Sequence, residues 1–306
     1  MMRRPLLTSA VLLVACSPKE TPKPATEAVP PPGPAVVSVT SGFSHPESAL
    51  WDADQQVWFV SNINGNPSAK DGNGFIARLT RGGAVDSLHF VQGGRDGVTL
   101  NGPKGLAIVW DTLWVADIDA VRGFDRKTGA LVANVNLGKQ AKFLNDVAAG
   151  PDGTVYITDT GILFDDKGQM VHPGPDRIFA LKGRKVSVVA EGAWLGGPNG
   201  ITWDSAGGHF IVVPYTGTAI LAWNPGQAKV DTLGSGPGGQ DGVEVVGGDI
   251  LVTSWADSSV FVLAAGGNRR VASGINSPAD IGVDRARGLL AIPQLLEDRV
   301  QFWRLK

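Results

Sequence analysis

Four side chains able to bind a cation recur at one place in a repeated pattern: Glu47, Asn145, Asn199 and Asp241. Each follows a short polar turn and opens an apolar run. The four runs are HPESALWDADQQVWFVSN from His45, LNDVAAGPDGTVYITDT from Leu144, GPNGITWDSAGGHFIVV from Gly197 and GQDGVEVVGGDILVTSW from Gly239. Two more copies, GPKGLAIVWDTLWVAD from Gly102 and SPADIGVDRARGLLAIP from Ser277, put Lys104 and Ala279 at the same place. If the copies stand in a ring, Glu47, Asn199 and Asp241 bring two carboxylates and an amide oxygen to one axis. Buried groups of that kind repel one another or go unsatisfied unless a positive charge sits among them. A hard divalent cation fills that need, and two carboxylates neutralise it. Calcium suits carboxylate and amide oxygens best, magnesium and manganese share the preference, and no histidine or cysteine at this level favours zinc. Taken singly, Asn199-Gly200 and Asp241-Gly242 also read as ordinary turn dipeptides.

The elements that must hold these residues are strands. Segments 57–61, 113–116, 155–158, 210–213, 250–253 and 289–292 are short, rich in β-branched or aromatic residues, and bounded by Gly, Pro, Asn or Asp. A second apolar strand follows at 121–125, 177–181, 219–223, 259–263 and 299–303. The recurring positions lie about 40 to about 60 residues apart, against roughly 40 for a four-stranded propeller blade. The expected fold is all-β: a six-bladed β-propeller of four-stranded blades over residues 36–306. Strand 36–40 is expected beside 300–305, closing the ring with the N-terminal end. All anchors then point to one face near the axis. Two long connections, 62–74 and 161–176, return to that face as pocket walls or as surface loops.

The 306-residue chain carries a formal net charge of -2 and no Lys/Arg cluster, which argues against nucleic-acid binding. No Gly-rich loop opens a helix, so nucleotide binding lacks support. His89, His172 and His209 show no triad spacing, and Asp117, Asp119 and Asp159, at strand ends on the ligand face, read as turn caps in preference to pocket-lining groups. Residues 1–15 combine Arg3 and Arg4 with a short apolar stretch, as a signal peptide does. The stretch ends Leu13-Val14-Ala15-Cys16, which resembles the bacterial lipobox, so Cys16, the only cysteine, is the expected lipidation site. Residues 16–35 then form a proline-rich tether. The expected location is the bacterial cell envelope, on the periplasmic face of the outer membrane, with the lipid anchor as the only membrane contact and the propeller as a monomer.

Pro46-Glu47 with Trp51-Asp52, Asn145-Asp146 with Pro151-Asp152-Gly153, Pro198-Asn199-Gly200 with Trp203-Asp204, and Asp241-Gly242 resemble the senescence marker protein / gluconolactonase / luciferin-regenerating enzyme family, which includes regucalcin. The resemblance covers most of the chain from about Gly42. It implies a six-bladed propeller with one axial divalent metal held by Glu47, Asn199 and Asp241. It also implies Asn145 against a small lactone or ester substrate, and Asp241 as the base that activates water. Family members acting on sugar lactones have arginine two residues before the asparagine matching Asn145; here Phe143 stands there, which favours a less polar substrate. Lys104 has three readings: it binds a substrate anion or the oxyanion, it snorkels to solvent at the rim, or it pairs with Glu47 or Asp241 in place of the metal. The alternative to a lactone- or ester-hydrolysing enzyme is a non-catalytic envelope propeller that binds a ligand or protein.

Overall fold

A computed structural model of the chain describes residues 34–165, 167–227, 230–264 and 266–305. The signal peptide, Cys16 and nearly all of the proline-rich tether lie outside the described residues. Six four-stranded antiparallel sheets follow one another along the chain. Blade 1 is Pro46–Asp52, Val57–Asn62, Phe75–Leu79 and Val85–Gln92; blade 2 is Pro103–Val109, Thr112–Asp117, Ala120–Asp125 and Leu131–Asn136. Blade 3 is Leu144–Ala149, Val155–Asp159, Arg177–Lys182 and Lys185–Glu191; blade 4 is Pro198–Asp204, His209–Pro214, Ala219–Trp223 and Asp231–Ser235. Blade 5 is Gln240–Val246, Asp249–Ser254, Ser259–Leu263 and Arg269–Ser273. Blade 6 takes Gly282–Asp284, Leu289–Gln294 and Arg299–Arg304 from the C-terminal end, and its outermost strand, Ala35–Ser41, from the N-terminal end. That antiparallel pairing fastens the two ends of the ring together. Blades 6 and 1 also meet at the axis, where Asp280 N–H donates to Glu47 O (2.8 Å) and Ala49 N–H to Asp280 O (3.2 Å).

The core is divided among the spaces between blades. Trp58, Val60, Leu289 and Phe302 fill one such space, and Ile178, Phe210, Val212 and Trp223 another. The second strands are almost wholly buried and read as nearly continuous apolar runs, whereas the outermost strands are largely exposed. Helix is confined to three short 3-10 turns among the described residues.

In five blades the inner strand has a β-bulge at the anchor. Pairing to the second strand slips between Pro46 and Ser48, Pro103 and Leu106, Leu144 and Val147, Pro198 and Ile201, and Gln240 and Val243. A bulge re-aims its side chains and gives up ladder hydrogen bonds. Hydroxyls on the second strand take up amides freed this way: Ser61 Oγ accepts from Ser48 N–H (2.9 Å), Thr158 Oγ1 from Asp146 N–H (2.9 Å) and Thr253 Oγ1 from Gly242 N–H (2.7 Å).

Candidate functional site on the propeller axis

The bulges turn the anchors toward one pocket. Glu47, Lys104, Asn145, Asn199 and Asp241 all line it, from five different blades, around about 90 Å³ of space. None of the five is more than 5% exposed. The polar groups are crowded because the inner strands are. A Cβ on Gly200 would lie 2.2 Å from Asp241 O, one on Gly242 2.6 Å from Asp280 Cα, and one on Gly105 2.5 Å from Asp146 Cα. Asn199-Gly200 and Asp241-Gly242 are therefore not turn dipeptides; they sit within strands, and glycine is there because the neighbouring blade leaves no room for a side chain.

Two carboxylate oxygens at the centre have no partner. Glu47 Oε2 and Asp241 Oδ1 are buried without a hydrogen bond, whereas Asp241 Oδ2 accepts from Trp255 Nε1 at 2.9 Å. Burial pushes the Asp241 carboxyl up to about 7 against the Trp255 bond, which lowers it. Burial raises Glu47 well above the usual carboxylate range; Asp241 adds to this and Lys104 opposes it. Orphaned buried acceptors that resist ionisation are what a site for a cation shows when its protein atoms are taken alone. Among the described residues no group of three or more His, Cys, Asp or Glu side chains is arranged to hold a metal. A cation at this pocket would have two carboxylates and amide oxygen as its donors, a set that calcium tolerates.

Asn145 is fixed from below: its Nδ2 donates to Thr160 Oγ1 (3.1 Å), whose hydroxyl donates to Pro198 O (2.9 Å). Asn199 is tied through its own carbonyl, which accepts from Thr158 Oγ1 at 2.6 Å. Carboxylates at the ends of second strands hold the anchor loops. Asp117 accepts from Asn101 and Gly102 N–H while pairing with Arg122, and Asp159 accepts from Lys142, Phe143 and Gly161 N–H. Asp119 pairs with Lys70 on the first long loop. His172 pairs with Asp176, which holds Gly197 N–H, and takes part in no triad.

Lys104 does not snorkel to the rim. It is 1% exposed, its Nζ donates to Gly102 O (3.0 Å) and Pro67 O (3.2 Å), and it lies 4.1 Å from the centroid of the Phe143 ring. Burial lowers its ammonium to about 8, with Glu47 and Asp117 acting against that through space. Among the described residues it forms no ion pair with Glu47 or Asp241.

The two long loops are walls of the pocket. Pro67 and Ile63 come from loop 62–74, and Ile162 and Phe164 from loop 161–176. They meet where Phe164 N–H donates to Ser68 Oγ at 2.9 Å, and Phe164 packs on Phe143 with centroids 5.8 Å apart. Trp255, Tyr215 and Leu295 complete the wall. All three, like Ile63, directly follow the last residue of a second strand. The same place is taken by Ile118 and Thr160 in the other two blades, so the position recurs six times and supplies a wall residue in four of them, a pattern that the anchors alone do not reveal. Sequence reasoning also missed the placement of two acids one residue past their anchors. Asp146 accepts from Ile201 N–H (2.7 Å) and Asp280 from Ser48 Oγ (2.6 Å), and both line the cavity at the opposite mouth of the axis with Glu244 and Arg285.

No protein-family profile matches the chain, and no curated protein does. Solved structures do. A gluconolactonase from Xanthomonas campestris is 17% identical with a TM-score of 0.65, over 90% of this chain and 95% of that one. A putative gluconolactonase is 17% identical with a TM-score of 0.62, over 89% and 90%. A catalytically inactive virginiamycin B lyase from Staphylococcus aureus with quinupristin is 13% identical with a TM-score of 0.58, over 88% and 99%. At such identities the likeness establishes the propeller fold, which gluconolactonases share with proteins of other activities.

Proposed function

We propose that this chain is a divalent-metal-dependent hydrolase of lactones or esters, held in the cell envelope by Cys16. The observation that carries the hydrolytic part is the pair of orphaned buried oxygens, Glu47 Oε2 and Asp241 Oδ1, in a pocket that Asn145 and Asn199 share and whose outer walls are largely apolar. Gluconolactonases among the structural neighbours support the same reading; the anchor rests on the leader sequence alone.

Glu47, Asn199 and Asp241 would hold the cation, with calcium favoured by the donor set. A bound divalent ion supplies Lewis-acid polarisation of the substrate carbonyl and charge for the oxyanion. The chain's own groups do the rest. Trp255 Nε1 fixes the Asp241 carboxylate through Oδ2 and leaves Oδ1 toward the pocket, placed to take the proton of attacking water. Asn145, oriented by Thr160, offers its side-chain oxygen to the substrate. Phe143, Phe164 and the two long loops shed water and set a preference for small substrates with little hydroxylation. The test is hydrolysis of a panel of aliphatic and sugar lactones and short esters, with calcium and with chelator. Turnover of aliphatic lactones that chelator abolishes and calcium restores is expected; chelator-insensitive turnover, or none across the panel, refutes the proposal.

A further inference from the structure

Lys104 is the one cationic group lining the pocket, and hydrolysis as set out above does not use it. Its ammonium is buried, stacked on Phe143, and gives hydrogen bonds to Gly102 O and Pro67 O. An ammonium has three donors, so one remains for a ligand. No carboxylate among the described residues contacts it, Glu47 and Asp117 acting on it only through space, and a buried ammonium without a contacting counter-ion is costly. A link from the inner strand to loop 62–74 needs no charge; a neutral amide would serve. With a dication bound, Glu47 and Asp241 are balanced, and Lys104 is the surplus positive charge of the pocket. Asp146 and Asp280 do not cancel it, because both are engaged by other groups and line the opposite mouth. Of the other lining residues, Tyr215, Asn145 and Asn199 carry neutral donors and Phe143, Phe164, Ile162 and Leu295 none, so Lys104 is the only cationic partner for an anion in about 90 Å³.

We propose that Lys104 selects a substrate bearing a carboxylate beside its lactone or ester, on a small and otherwise apolar frame. This rests on the hydrolytic reading for the reacting bond, but not for the anion.

The test uses the full chain with calcium and two inert ligands of one shape, cyclopentanecarboxylate and cyclopentanecarboxamide, by titration calorimetry. The carboxylate is expected to bind at least about tenfold more tightly than the amide. In Lys104→Met that preference is expected to vanish while amide binding holds. Equal binding of the two by the unaltered protein, a comparison that needs no variant to fold, overturns the proposal, as does a preference that survives Lys104→Met. Turnover then separates recognition from catalysis. Lys104→Met should raise KM for γ-butyrolactone-γ-carboxylate and leave γ-butyrolactone unchanged. An equal fall of kcat on both would mean that the lysine acts on developing charge, and would also overturn it. A carboxylate preference that depends on Lys104, without turnover of either lactone, sinks the hydrolytic reading and leaves the anion site standing.

Discussion

Calcium should stabilise this protein far more at pH 8 than at pH 5, because the two central carboxylates resist ionisation when no cation faces them. Asp241 is raised from 3.8 to about 7, and Glu47 moves in the same direction. A carboxyl whose folded pKa lies above its unfolded value contributes stability that is complete below the unfolded pKa and lost as pH rises through the folded one. For Asp241 about three pKa units amount to about 4 kcal/mol in full, and roughly 2–3 kcal/mol of that falls between pH 5 and pH 8. The calcium-free protein should therefore lose stability across that interval. Saturating calcium binds the ionised carboxylates and reverses the loss. Asp146, raised to about 8, and Asp280 push the calcium-free protein the same way. They line the other mouth but act through space on Glu47 and Asp241, so the difference between calcium-loaded and calcium-free protein reports the central carboxylates together with this coupling. At about 2–4 °C per kcal/mol for a domain of this size, the calcium-induced rise in Tm should be about 5–10 °C larger at pH 8. Thermal melts of desalted protein with and without calcium at both pH values measure it. A calcium shift equal at the two pH values, or a calcium-free Tm that climbs from pH 5 to pH 8, refutes the assignment of these oxygens to a cation site.

Three further outcomes follow from the packing. Gly200→Ala drives a methyl group into Asp241 O and Val213 Cγ2; urea denaturation should show a loss of about 1–3 kcal/mol, and calcium titration a weaker site. Asp117→Ala unpairs buried Arg122 and frees the loop before Lys104, so a loss of about 3–5 kcal/mol is expected in the same urea assay. Ser48→Ala removes the 2.6 Å hydrogen bond to Asp280 and should cost roughly 1–2 kcal/mol, with calcium affinity unchanged.

The ring was legible because each blade repeats a polar turn, an apolar inner strand and a second apolar strand at a spacing that suits a four-stranded propeller blade. Alignment of the repeats also brought Glu47, Lys104, Asn145, Asn199 and Asp241 to one axis, where the structure has them. What the repeats did not convey was depth. Lys104 was open to a rim position because a four-carbon stem can reach water, but loop 62–74 closes over it through the Pro67 carbonyl. The glycines after the anchors looked like turn punctuation because sequence shows their flexibility and not the neighbour 2.2 Å away. Asp146, noted only as part of a motif, and Asp280 gave no sign of facing the opposite mouth, because an acid within an inner strand reads as an ordinary polar residue until its neighbouring blade is in place. The meeting of the two long loops at Ser68 and Phe164 joins residues 96 positions apart and has no local signature.

The central claim is most directly tested by calcium titration calorimetry on the full chain, paired with Glu47→Gln and Asp241→Asn. About one equivalent bound by the unaltered protein, and none by either variant while both remain folded, is the expected result. Failure of the unaltered protein to bind calcium or another divalent ion, or equal binding by both variants, would contradict the axial cation site and with it the proposed hydrolysis.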